Sequence, residues 1–140
     1  MLTETKTAAP AVPPALALTF PQGLPGFPEV TDFRLERLPA SPRFLRLRST
    51  EPGGPEFIVL PQAGSAVPIE ESDIADGCGA VGLDPADVAV LLVVRFSREG
   101  SGPMLSVNRR APLLVDLQRN LGFQVVLPRP DYAVRHPIAA

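Results

Sequence analysis

The chain has 140 residues, 45% of them apolar, with a formal charge of −2, one histidine and one cysteine. That length fits one domain, residues 1–140, with a real core; the lone Cys78 excludes an internal disulfide, and the apolar runs fall well short of the roughly 20 residues of a membrane helix. Eighteen prolines and 11 glycines exclude an architecture of long helices and predict many turns between short elements.

Leu2–Thr7 reads as a weak first strand. Residues 8–14 read as Pro/Ala-rich extended chain, because proline cannot donate to a sheet ladder. Glu4 precedes Lys6, and Pro10, Pro13 and Pro14 interrupt any apolar block, so no signal peptide is expected and the cytoplasm is the expected location. Leu16–Phe20 is the next strand. It runs into Phe20-Pro21-Gln22-Gly23-Leu24-Pro25-Gly26-Phe27. There Pro25 and Gly26 suit the two central positions of a type II turn, since proline fixes φ at about −65° and glycine accepts positive φ. The loop is therefore narrowly specified, and Phe20 and Phe27 are expected to pack beneath it.

Phe33–Glu36 and Arg43–Arg48 alternate as strands, the second with Leu45 and Leu47 on one face and Arg46 and Arg48 on the other. Glu51-Pro52-Gly53-Gly54 is a second type II turn. Phe57–Leu60 is a buried strand ended by Pro61. Ser72 is the expected N-cap of a short helix with Asp73 and Asp76 near its positive end. Ile74, Cys78 and Val81 form its apolar stripe, so Cys78 reads as a small core residue. Asp84-Pro85 starts a further helical turn. Val88–Val94 is the most apolar run and reads as a central strand. Met104–Val107, Leu113–Val115 and the alternating Leu121–Leu127 follow, with Asn108–Pro112 breaking the pattern. Turn signals recur about every 8–12 residues, the pattern of an antiparallel sandwich or barrel.

The charge is segregated. Between Ser49 and Val94 there is no lysine or arginine, but there are eight acids: Glu51, Glu56, Glu70, Glu71, Asp73, Asp76, Asp84 and Asp87. The rest of the chain carries all 13 bases and the other seven acids. Such a division steers charged partners.

No chemistry-bearing constellation stands out. His136 is the only histidine and Lys6 the only lysine, so zinc spacings and phosphate-cradling loops are absent. Asp131, Tyr132, Arg135 and His136 are close in sequence only. An enzyme is not expected, and neither is a metal or cofactor. The alternative class is a small β-barrel that binds nucleic acid directly through Arg43, Arg46 and Arg48, but stacking aromatics are few.

Several motifs, in order, resemble the flagellar assembly factor family FliW. These are Phe20–Phe27; Phe57-Ile58-Val59-Leu60-Pro61; Asn108-Arg109-Arg110-Ala111-Pro112, similar to the family's Asn-Leu-x-Ala-Pro element; Gly122–Leu127; and Asp131–Pro137. Thr5-Lys6 fall where the family's first strand lies. Arg109 and Arg110 replace apolar residues of the Asn-Leu-x-Ala-Pro element, and Gln62-Ala63-Gly64-Ser65 stands where a Pro-Asp-Tyr segment is expected. The resemblance implies a small antiparallel β-barrel, here with one or two short helical turns around residues 72–87. It implies a non-enzymatic adaptor that binds flagellin and, in competition with it, the basic translational regulator CsrA, relieving repression of flagellin translation. Expected partner-binding residues are Glu70, Glu71, Asp73 and Asp76 of the acidic block with Asn108, Arg109 and Arg110. Phe20, Gly23, Pro25, Gly26 and Phe27 are the expected structural motif.

Overall fold

The computed structural model describes residues 10–13, 15–100 and 102–139. Within them the strands are β1 (Ala15–Thr19), β2 (Asp32–Arg37), β3 (Leu45–Ser49), β4 (Glu56–Pro61), β5 (Val88–Glu99), β6 (Gly102–Val107), β7 (Leu113–Asp116), β8 (Leu121–Gln124) and β9 (His136–Ile138). One helix, α1 (Glu71–Ala80), and a 3₁₀ turn at Pro85–Asp87 lie between β4 and β5. The strand expected over Leu2–Thr7 lies outside the described residues, and Pro10–Pro13 take no regular structure.

The strands join in the order β4-β3-β2-β1-β8-β7-β5, and β5 pairs back to β4, which closes seven strands into a barrel. β6 and then β9 extend outward from β5. The pairings are antiparallel except one: β1 meets β8 in parallel at Thr19 and Leu121. The barrel is therefore mixed, where a purely antiparallel one was expected. No hairpin joins β1 to β8, so nothing in the chain's connectivity imposes the antiparallel sense there.

β5 runs for 12 residues, well past the apolar run that signals it. Val88–Leu91 pair with β7, Leu91–Val93 with β4, and Val94–Glu99 with β6. Its second half is not covered on both faces, so Arg95, Ser97 and Arg98 stand there without breaking the strand. β6 and β7 follow one edge of β5 in tandem. Between Val107, opposite Val94, and Leu113, opposite Leu91, six steps of chain face three, and Asn108–Pro112 form the bulge that takes up the excess.

Alternation along the strands fills the interior. In β2, Phe33 and Leu35 are buried while Arg34 faces water, and in β3 Leu45 and Leu47 are buried while Arg48 faces water. These side chains pack with Leu18, Phe20, Val59, Leu91, Leu113 and Val115 in the barrel core. Each such side chain contributes about 1.5–3 kcal/mol through burial. A second cluster, including Phe44, Leu60, Leu92, Leu105 and Val107, lies under the outward extension.

α1 closes a third cluster, with Cys78, Leu83, Val88 and Leu114 buried and Ile74 and Val81 packed alongside, as the stripe predicts. A Cβ on Gly77 would stand 3.3 Å from Leu114 Cδ1, so the missing side chain lets the helix backbone lie close to the barrel. Burial, and secondarily Asp84, push the Cys78 thiol pKa up, away from nucleophilic use. The helix is longer than the one or two turns expected at 72–87 and starts earlier. Glu70, not Ser72, is its N-cap residue, with no side-chain cap. The Asp84 cap is formed as expected, with Oδ1 accepting from Ala86 N–H at 3.0 Å.

Candidate functional site

The Phe20–Phe27 segment folds on itself. Phe27 N–H donates to Leu24 O at 2.7 Å and Leu24 N–H returns a bond to Phe27 O at 3.3 Å. Gly26 has φ +87° and Gly23 φ +66°. At Gly23 a side chain has no room, because its Cβ would stand 2.6 Å from Pro28 Cα. Phe20 is fully buried, edge-on to Phe33 at 5.4 Å, and its ring rests on Gly122, where a Cβ would come within 2.5 Å. Phe27 departs from expectation. It is 41% exposed, with its ring edge-on to Phe57 at 6.3 Å. The turn directs Leu24 inward instead, and Leu24 takes the buried place beneath the loop.

This loop faces the bulge between β6 and β7. Gln22, Leu24 and Pro28 form one wall, Asn108 and Ala111 the other, around a groove of about 400 Å³ that Gln124 and Val126 also line. Val126 is 70% exposed. Asn108 shapes the bulge, its Oδ1 accepting from Arg110 N–H at 3.1 Å and Ala111 N–H at 3.0 Å. Gln124 Nε2 donates to Ala111 O at 2.9 Å and ties the second wall to β8.

The bulge arginines hold the C-terminal segment. Arg110 Nε donates to Tyr132 O at 2.9 Å, and the same guanidinium reaches Pro130 O. Arg109 donates to Pro68 O, and its guanidinium lies 4.5 Å over the Tyr132 ring. The Tyr132 hydroxyl is buried. It donates to Asp73 Oδ2 at 2.6 Å and accepts from Glu70 N–H at 3.0 Å. Arg129 Nε meets the same Asp73 oxygen at 2.7 Å. Burial first, and the bond to Asp73 second, push the Tyr132 phenol pKa up. The start of α1, the bulge and the C-terminal segment thus form one hydrogen-bonded unit.

The residues expected to bind partners sort accordingly. Glu70, Glu71 and Asp76 are exposed at the start of α1, whereas Asp73 is buried and ion-paired. Asn108 lines the groove, and Arg109 and Arg110 are engaged by the chain itself. Of the C-terminal quartet, Tyr132 is interior, His136 lies in β9 opposite Val107, and Asp131 and Arg135 face solvent. Among the described residues no group of His, Cys, Asp and Glu is gathered to hold a metal, and no helix is long and apolar enough to cross a membrane.

The arginine row is not a free basic surface. Glu36 lies between Arg46 at 3.4 Å and Arg48 at 2.9 Å, with Arg34 at 3.8 Å, and Glu56 meets Arg46 at 3.7 Å. The hydrogen bond from Arg48 leads in holding the Glu36 carboxyl below the usual range. Arg43 donates to Ala139 O at 2.8 Å. Sequence reading missed Val126 and Gln124 as groove residues and Tyr132 as the partner of Asp73, 59 residues away. Only the residue types gave a signal there: a lone tyrosine, and a valine followed by another at the end of a strand.

The fold and these surfaces define a class: a small closed β-barrel whose motif-bearing loop and bulge shape a surface groove. The family model described as FliW protein matches residues 2–138, and the chain belongs to that family. Relatives named flagellar assembly factor FliW include one from Natranaerobius thermophilus, 26% identical over 86% of this chain and 80% of its own length. Another, from Desulfitobacterium hafniense strain Y51, is 29% identical over 91% of this chain and 83% of its own. A solved crystal structure of the flagellar assembly factor FliW shares the fold, with a TM-score of 0.62 and 21% identity over 86% of this chain and 84% of that one.

Proposed function

We propose that this protein is a non-enzymatic cytoplasmic adaptor of flagellum assembly that binds flagellin and, in competition with it, the translational regulator CsrA, so relieving repression of flagellin translation. The observation that carries this reading is the meeting of the Phe20–Phe27 loop and the Asn108–Pro112 bulge on one groove, within a family match that spans residues 2–138. An open groove with an exposed valine suits a protein segment better than a reaction that needs converging polar groups.

The acidic start of α1 borders the same region. Arg109, next to Asn108, stacks on Tyr132, and the Tyr132 hydroxyl accepts from Glu70 N–H. Glu70, Glu71 and Asp76 are exposed on α1, whose start the Tyr132 contacts tie to the bulge, and this negative charge fits a basic regulator. Arg109 and Arg110 keep their positive charge, since a bond to a carbonyl does not neutralise a guanidinium, so the contact offered to such a partner is the acidic start of α1 and not the bulge arginines. Direct nucleic-acid binding draws little support from a surface where Arg34, Arg46 and Arg48 face Glu36 and Glu56.

The test is titration calorimetry against the organism's own flagellin and CsrA, separately and then in competition. Binding to each, with one displacing the other, is the expected result. Lysine at Glu70, Glu71 and Asp76 together is expected to weaken CsrA binding by about tenfold or more. Unchanged CsrA affinity in that variant removes the acidic face from the reading. Binding to neither partner removes the adaptor, and a salt-sensitive RNA shift by the protein alone would install the nucleic-acid alternative.

A further inference from the structure

The outward extension carries a second groove that the reading above does not use. β5 and β6 project as a hairpin, and Phe96 and Met104 on it are 63% and 48% exposed. Phe96, Pro103 and Leu105 of the hairpin face Leu38, Phe44 and Ile58 across a groove of about 480 Å³. None of its lining residues is acidic. Its rim is basic: the Arg43 guanidinium lies 5.0 Å over the Phe44 ring, and Arg98 shares a strand face with Phe96 two residues away, opposite Pro103. An aromatic side chain left this open beside an apolar trough marks an interaction site rather than a lone surface residue.

We propose that this second groove receives an apolar protein segment flanked by acidic residues. Within the flagellar reading, on which this rests, that segment belongs to flagellin. The basic regulator would meet Arg43 and Arg98 as like charges and is suited instead to the acidic start of α1. A second copy of this chain is disfavoured on the same ground, because a two-fold contact pairs the same patch on both copies and so brings two basic rims together. The two grooves share no lining residue, but Phe96 and Asn108 line a common depression between them. The competition of the proposed function therefore acts through the partners' bulk on adjoining surfaces rather than through one shared groove.

The experiment uses the full chain and two exposed substitutions, Phe96→Glu and Arg98→Glu, with Phe96→Leu as the conservative control. Thermal midpoints and circular dichroism first establish that each variant is folded. Calorimetry then measures flagellin and CsrA separately. The expected result is a loss of flagellin affinity of about tenfold or more in both Glu variants, near-parent affinity in Phe96→Leu, and CsrA affinity unchanged throughout. Flagellin affinity within twofold of the parent overturns the proposal, as does an equal loss of CsrA affinity. A parent dimer that Phe96→Glu dissolves in sedimentation assigns the groove to a second copy and overturns it too. If the unaltered protein binds flagellin but the variants do as well, only this inference falls; if the unaltered protein does not bind flagellin, the adaptor reading falls with it.

Discussion

Tyr132→Phe isolates the link between α1 and the C-terminal segment. The substitution keeps the ring, so the Arg109 guanidinium at 4.5 Å retains its aromatic face. It deletes one oxygen that bonds Asp73 Oδ2 at 2.6 Å and Glu70 N–H at 3.0 Å. A hydrogen bond to a charged group contributes about 1.5–3 kcal/mol and a neutral one about 1 kcal/mol. Arg129 still faces Asp73, so the carboxylate keeps one partner. The expected loss is about 3 kcal/mol, a large part of the roughly 5–15 kcal/mol that stabilises an ordinary domain. At this size that is a fall in Tm of about 9 °C.

The same residue sets a pH dependence. The folded phenol pKa is raised above its unfolded value of about 10. Its contribution is therefore complete below pH about 10 and is lost as pH rises through the folded value. The chain has one tyrosine and no tryptophan, so phenolate absorbance reports this group alone. The parent is expected to titrate late and to lose stability on the alkaline side, and Tyr132→Phe to start lower with a flatter alkaline limb. A phenol that titrates at its ordinary value, or a variant within about 0.5 kcal/mol of the parent in urea unfolding, refutes the account.

Gly122→Ala drives a methyl into the Phe20 ring, whose nearest atoms lie 2.5 Å from the added Cβ; overpacking costs about 1–3 kcal/mol in denaturant unfolding. Gly26→Ala meets open space at φ +87°, so only backbone strain of about 1–2 kcal/mol is expected, and Gly23→Ala, which adds a clash with Pro28, is expected to cost more. Asp116 is buried, which raises its pKa, but the N–H groups of Arg119 and Gln118 and the Arg119 side chain together hold it below the usual range. Its contribution is present above the unfolded pKa of about 3.9 and is lost as pH falls through the lower folded value. Asp116→Asn is expected to cost about 1–3 kcal/mol near neutral pH and to flatten the acid limb of the stability curve. Arg46→Ala, on an exposed ion-pair network, is expected to change unfolding by less than about 1 kcal/mol.

The strands were legible where one face is wet and the other dry. Phe33-Arg34-Leu35 and Leu45-Arg46-Leu47 show that period directly, and both are strands with those leucines inside. Turns written in proline and glycine were legible for the same local reason, and Gly26 and Gly53 both take the positive φ expected of them. Long-range relations were not legible. The N-cap of α1 is Glu70 where Ser72 was expected, and there Tyr132, far along the chain, bonds the Glu70 N–H and Asp73, a tie that no local pattern encodes. The fate of Phe27 depended on whether Leu24 or Phe27 would turn inward, and the turn signal is the same for either. The parallel contact of β1 with β8 depends on barrel closure, which no local pattern encodes. Of the candidate surface, its two walls were visible as motifs, but their meeting across one groove was not.

Charge shows most clearly what folding adds. In sequence the acids from Glu51 to Asp87 are one block without a base. In the barrel, β3 brings Arg46 to Glu56, and the C-terminal segment brings Arg129 to Asp73, so two of the block's acids are occupied inside the molecule. Glu70, Glu71 and Asp76 stay exposed at the start of α1. Arg46 and Arg48 of the arginine row are balanced in the same way by Glu36 and Glu56, while Arg43 and Arg98 stay beside an apolar groove. A chain of nearly zero net charge thus presents an acidic surface at the start of α1 and a basic rim beside an apolar groove elsewhere. Under the proposed function, recognition of an acidic and a basic partner would rest on this local division, because the net charge alone attracts neither. Salt is then expected to weaken the two complexes independently of the barrel's stability, whose core is apolar.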